Sequence, residues 1–199
     1  MQTRSRFVVS VLVALASFGL VRHGLGVALP PQDEKAKSVA AFRDVARLLR
    51  HPRCLNCHPS GDAPHVGELR KRHAMNVQRG EDGHGVPAMR CSTCHRDENQ
   101  DAVGLPGAPH WHLAPRSMGW ENLDDHDLAE ALKDPNKNGN RSLADIVEHM
   151  EKDPLVGWAW DPGKGRSAPP ISREETIRKL RIWIETGAVS PEPGMTSTF

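Results

Sequence analysis

Cys54-Leu55-Asn56-Cys57-His58 and Cys91-Ser92-Thr93-Cys94-His95 decide how this chain is read. Each is a C-x-x-C-H pentapeptide, the spacing by which a c-type haem is attached. Two thiols so spaced can reach the two vinyl groups of one porphyrin as thioethers, and the adjacent histidine falls beneath the iron as proximal ligand. The chain has 4 cysteines, and the two pentapeptides use all of them. Paired C-x-x-C units also write a four-cysteine zinc site, but zinc does not account for a histidine directly after both pairs. Two disulfides are open to an exported chain, yet C-x-x-C bridges are typically redox-active rather than structural. The expectation is two covalent haem c groups. Cys54, Cys57, Cys91 and Cys94 attach them, and His58 and His95 are the proximal iron ligands.

Composition agrees with a fold built round cofactors. The 199 residues suit one domain, or two small ones. They include 17 glycines and 16 prolines but only 4 phenylalanines, 5 tryptophans and no tyrosine. That is thin apolar filling for a core, and two porphyrins would supply the missing volume. The 26 basic and 25 acidic residues nearly balance. Arg4, Arg6 and Arg22 lie in the first 28 residues, so their removal leaves a slight acidic excess. Nucleic acid is therefore not an expected partner.

Residues 1–28 read as a secretory signal peptide. Arg4 and Arg6 precede an apolar run from Phe7 to Val21, and Gly26-Val27-Ala28 supplies small residues for cleavage. The run is short for a bilayer span. Contact with a membrane is expected only if this segment stays uncleaved. Haem c is attached outside the bacterial cytoplasm, so the expected location is the periplasm.

From residue 35 onward, Val39, Phe42, Ala46 and Leu49 recur at helical spacing. Their helix should end near His51-Pro52, since a residue before proline is pushed out of the helical region. The first haem site follows at once. Residues 59–90 are broken by Gly and Pro, leaving room for a turn or two around Leu69–Val77. A low-spin electron-transfer haem needs a sixth ligand, supplied by histidine or methionine. His73 and His84 lie in a loop tied at both ends to haem sites, and are candidates; His65 reads as a surface residue. After the second site, His110-Trp111-His112 would place both histidines on one side of an extended chain. His112 is the favoured distal ligand there, with Met118 in reserve. His73, His84 and His112 thus compete for two distal places.

Residues 121–199 read as a helical C-terminal part of the same domain as 29–120. Leu128 and Leu132 mark a helix from about Asp125 to Asp134, stopped by Pro135. Ser142 with Asp145 resembles a capping box, and Leu143, Ile146, Val147 and Met150 form the next stripe. His149 and Met150 read as surface and core respectively. Ser172 caps a third helix carrying Ile177, Leu180, Trp183 and Ile184, closed by Gly187. The fold class expected is mainly α: a loop-rich dihaem cytochrome c with a helical C-terminal part.

Longer stretches carry a resemblance. Arg50-His-Pro-Arg-Cys-Leu-Asn-Cys-His-Pro59, His73-Ala-Met-Asn-Val-Gln-Arg-Gly80, Asp82-Gly-His-Gly-Val-Pro87, Met89-Arg-Cys91, Trp111-His-Leu-Ala-Pro115 and Asp153-Pro-Leu-Val-Gly-Trp158 form a series. It is similar to the small dihaem cytochromes that carry the family label "isoquinoline 1-oxidoreductase subunit". The resemblance implies a periplasmic cytochrome whose redox partner is a molybdenum hydroxylase. No cysteine is left over to hold an iron–sulfur cluster in this chain. The expected function is electron transfer between protein partners. The alternatives are a peroxidase-like dihaem enzyme or a haem-based gas sensor, each needing one open distal site.

Overall fold

The computed structural model describes residues 31–198. The signal peptide expected over residues 1–28 lies outside them. The described chain is mainly α, with long loops and two minimal hairpins. None of the described helices is long and apolar enough to cross a membrane.

Helix α1 (Pro31–Leu49) opens with Asp33 and Glu34, where carboxylates suit the positive end of the helix dipole. It begins a turn earlier than the apolar spacing suggests. It stops at Leu49 because His51, which precedes Pro52, takes extended backbone at ψ 143°. His51 then caps the short α2 (Pro52–Leu55), accepting from the Arg53 N–H at 3.2 Å. The loop that follows forms two antiparallel pairs, β1 (His65–Val66) with β2 (Lys71–Arg72) and β3 (Gly85–Val86) with β4 (Met89–Arg90). Sequence reasoning expects only turns here. Two-residue strands are too short to display the alternation that reveals a strand.

The C-terminal helices follow their caps. α3 (Asp125–Lys133) is capped by Asp124, α4 (Leu143–Lys152) by the reciprocal Ser142–Asp145 box, and α6 (Arg173–Glu185) by Ser172. Between the last two lie α5 (Pro154–Gly157) and a 3-10 turn over Trp158–Trp160. α6 ends before Gly187, whose φ of +100° suits glycine.

The core forms where α1 packs on α6, with α3 and α4 alongside. Phe42 and Trp183 are fully buried, their rings 4.7 Å apart and tilted by 46°. Ser38, also buried, donates to the Trp183 carbonyl at 3.0 Å and accepts from the Val189 N–H at 3.0 Å. A second tie is ionic. Arg50 meets the buried Asp125 at 2.6 Å, and Asp125 also accepts from the Ser197 hydroxyl at 2.6 Å. These contacts pin the end of α1, and so the first C-x-x-C-H, to the C-terminal helices.

Candidate haem-binding sites

Both pentapeptides fold as a single helical turn. The Cys57 and His58 N–H groups donate to the Cys54 carbonyl at 3.1 and 3.2 Å, and those of Cys94 and His95 to the Cys91 carbonyl at 3.2 and 2.9 Å. Residues three and four apart in a turn share one face, so each turn gathers two thiols and an imidazole on one side. The histidines are then fixed in the same way. His58 Nδ1 pairs with the Met118 carbonyl at 2.9 Å, and His95 Nδ1 with the Pro106 carbonyl at 2.7 Å. A carbonyl can only accept, so each Nδ1 carries the proton and each Nε2 keeps its lone pair for a metal. An indole backs each ring. Trp120 stacks on His58 at 3.4 Å and 9°, and Trp111 on His95 at 4.7 Å and 13°.

The first site opens into a cleft of about 1120 Å³, its open mouth included. Val45, Leu49, Leu132, Ile146 and Leu180 give it apolar walls, while Cys54, Cys57 and His58 enter from the loop. Trp120, whose Nε1 is buried with no acceptor among the described residues, also lines it. Burial pushes the Cys54 thiol up to about 12 and the Cys57 thiol up to about 11. It drives His58 down to about 3. Neutral thiols and a neutral imidazole beside an apolar cleft fit a haem bound by thioethers and Nε2. Zinc would want thiolates gathered at one point. Among the described residues, no group of three or more His, Cys, Asp or Glu side chains is placed to hold a metal ion.

The second site is shallower. Cys94 is exposed and Cys91 half-buried, with the Cys91 N–H donating to the His84 carbonyl at 3.0 Å. His73 comes to this site: its ring centre is 6.2 Å from that of His95, and the planes cross at 74°. His73 Nδ1 pairs with the Ala74 carbonyl at 2.9 Å, leaving its Nε2 unprotonated as well. Two imidazoles on opposite sides of one metal, with metal–nitrogen bonds of about 2 Å, set their ring centres roughly 6 Å apart. His73 and His95 have that spacing.

His84 and His112 come together instead, ring centres 4.8 Å apart. That is too close for the two to share one metal from opposite sides. The extended geometry expected for His110–His112 does not form. His110 turns to a φ of +60°, and its carbonyl pairs with His112 Nδ1. His112 still lines the first cleft. Met118 holds the proximal histidine through its carbonyl, while its buried side chain packs in the core and also lines the first cleft. His65, on β1, lies 3.3 Å from Glu121.

Two features escape sequence reasoning. Arg79 is buried and donates to the carbonyls of Pro59 (2.8 Å), Gly61 (2.9 Å) and Ala114, stitching together the loops on either side of the first site. His149 and His112 both lie near enough to His58 to bear on its charge, and His149 lines the same cleft.

The two sites adjoin. Cys91 lies near enough to Cys57 to bear on its thiol. The Ala114 N–H donates to the Cys57 carbonyl at 3.1 Å, and the adjacent Leu113 N–H to the Gly83 carbonyl at 2.9 Å. Trp158, in the wall of the first cleft, meets Trp111 edge-on at 4.9 Å, and Trp111 lies on His95.

Comparison with protein-family models, curated proteins and solved structures finds no match to this chain.

Proposed function

We propose that this protein is a periplasmic electron carrier holding two covalent haem c groups. One observation carries the reading. Both C-x-x-C-H turns fix their histidine identically, with Nδ1 on a downstream carbonyl and an indole on the ring face, so that Nε2 is left for iron. Haem iron, when bound, supplies a one-electron couple between its ferric and ferrous states. The chain attaches the group through Cys54 and Cys57 or through Cys91 and Cys94. It orients the axial imidazoles and excludes water from the first site with apolar walls. His95 and His73 would together hold the iron of the second haem.

The His73–His95 pair at the second site, with His112 and His149 lining the first cleft, supplies enough histidines to close both irons and favours a carrier over a peroxidase or a gas sensor, which need an open site. The periplasm follows from the export segment over residues 1–28. A molybdenum hydroxylase as electron donor rests on the sequence resemblance. The test is a pyridine haemochrome assay of the exported protein, followed by spectra with and without carbon monoxide. The expected result is two haems per chain, both low-spin and unmoved by carbon monoxide. One haem or none would overturn the dihaem reading, and a carbon monoxide complex would favour the enzyme or sensor.

A further inference from the structure

The first cleft has two kinds of wall. Residues 114–120 pass behind His58: the Ala114 N–H binds the Cys57 carbonyl, the Trp120 N–H binds the His58 carbonyl at 3.1 Å, and Met118 takes the His58 Nδ1 proton. Met118 also lines the cleft, but its side chain is packed into the apolar core, which leaves the other lining residues to supply a sixth ligand. α4 supplies Ile146, His149 and Met150 to that lining. Met150 belongs to the packed apolar core, and its carbonyl accepts from Arg173 Nε at 2.8 Å. His149 does not belong to that core.

His149 is also held as a metal-binding histidine is held. Its Nδ1 lies 3.3 Å from Asp153 Oδ2. The other carboxylate oxygen of Asp153 accepts from the Leu155 and Val156 N–H groups at 2.8 and 3.2 Å, capping α5. The Asp153 N–H closes α4 on the His149 carbonyl at 3.1 Å, and Arg173 donates to the Asp153 carbonyl at 3.0 Å. Asp153 is therefore fixed at both its backbone and its side chain. A carboxylate this close to Nδ1 favours a proton there and so a free Nε2, the arrangement that second-sphere carboxylates give at metal sites. His112, like His58 and His95, has a carbonyl rather than a carboxylate at Nδ1, and its ring packs against that of His84.

We propose that His149, positioned by Asp153, is the distal ligand of the first haem, opposite His58. The assignment rests on the dihaem reading. The first haem's sixth ligand then comes from a helix of the C-terminal part, not from the loops between and after the two C-x-x-C-H turns. His84 and His112 then form a ligand-free pair beside the two sites.

The experiment uses the exported holoprotein, with haem counted by pyridine haemochrome beside every spectrum. His149→Ala should retain two haems, turn one of them high-spin and let that one bind carbon monoxide; added imidazole should restore the low-spin spectrum. His112→Ala should leave both haems low-spin. His149→Met serves where the alanine variant does not accumulate. It should bring a methionine-to-iron charge-transfer band and a raised potential at one haem. Asp153→Asn should keep both haems low-spin while raising the potential of one. Two haems with a fully low-spin His149→Ala, an unchanged His149→Met spectrum, or a high-spin haem in His112→Ala would each overturn the assignment and leave the dihaem reading standing. A wild-type protein without two haems would overturn both.

Discussion

His58 lies flat against Trp120, ring centres 3.4 Å apart and planes 9° from parallel, while its Nδ1 is held by the Met118 carbonyl two residues before that indole. One short segment thus fixes both the rotation of the imidazole and its tautomer. Trp120 is buried, and truncating a buried tryptophan costs about 3–5 kcal/mol. Trp120→Ala should therefore lower stability by about that much in urea titrations and reduce haem loading at the first site. Trp111, half-buried on the corresponding face of His95, should cost less when replaced by alanine. Equal losses from the two substitutions would contradict the unequal burial of the two sites.

The adjoining sites have a redox consequence. Cys91 lies close to Cys57, and Trp158 and Trp111 run in contact from the first cleft to His95. Reducing one haem changes the charge felt by the other, so a potentiometric titration should follow two interacting steps rather than two independent ones. The ferric haems should also show magnetic coupling by electron paramagnetic resonance. The 74° between the His73 and His95 planes should place the second haem among low-spin signals with a large maximum g value. Two non-interacting potentials with no coupling would contradict adjacency.

Helix-capping pairs and attachment turns were legible in the sequence because each rests on local spacing. The Ser142–Asp145 box, the Ser172 cap and the stop before Pro52 all form as their residues suggest. The carbonyls that hold His58 and His95, from Met118 and Pro106, left no trace in composition or period, because any residue carries a carbonyl. Arg79 looked like one more charge in a polar loop, yet it is buried among three carbonyls. His149 sits at the edge of an ordinary amphipathic stripe. Only the packing of α4 against α6 shows that it reaches the first cleft. Long-range placement of this kind is set by tertiary contacts, not by the spacing of neighbours along the chain.

Acid should loosen the C-terminal tail through Asp124. Its carboxylate accepts from the Asp127 N–H at 2.8 Å, capping α3, and from the Gly194 N–H at 2.6 Å. Those bonds to the ionised form hold the group below the usual carboxylate range. With the folded value depressed, the stabilisation is present above the ordinary aspartate range and is lost as pH falls through the folded value. Asp124→Asn keeps a capping oxygen but cannot titrate. Its stability should therefore fall less steeply than that of the wild type at acid pH, which denaturant titrations across that range would measure. An unchanged slope would show that Asp124 does not contribute.

Gly107 gives a way to disturb the second haem through its proximal histidine. The residue before it, Pro106, provides the carbonyl that accepts from His95 Nδ1 at 2.7 Å. The Gly107 N–H donates to Asn99 Oδ1 at 3.1 Å, and that same oxygen accepts from Trp158 Nε1 at 2.9 Å. A Cβ at residue 107 would collide with the carbonyls of Arg96 and Glu98, which are backbone atoms and cannot swing aside. Gly107→Ala should therefore push the Pro106–Gly107 strand away from the loop after the second attachment turn. The carbonyl on His95 Nδ1 would then lengthen or lose its bond, weakening Nε2 as a donor to iron. A weaker donor stabilises the ferric state less, so the potential of the second haem should rise by more than that of the first, which feels the change only through Asn99, Trp158 and the coupling of the haems. Spectroelectrochemistry of the variant with both haems in place would read this directly. An unmoved second potential would mean that the Pro106 carbonyl does not tune His95.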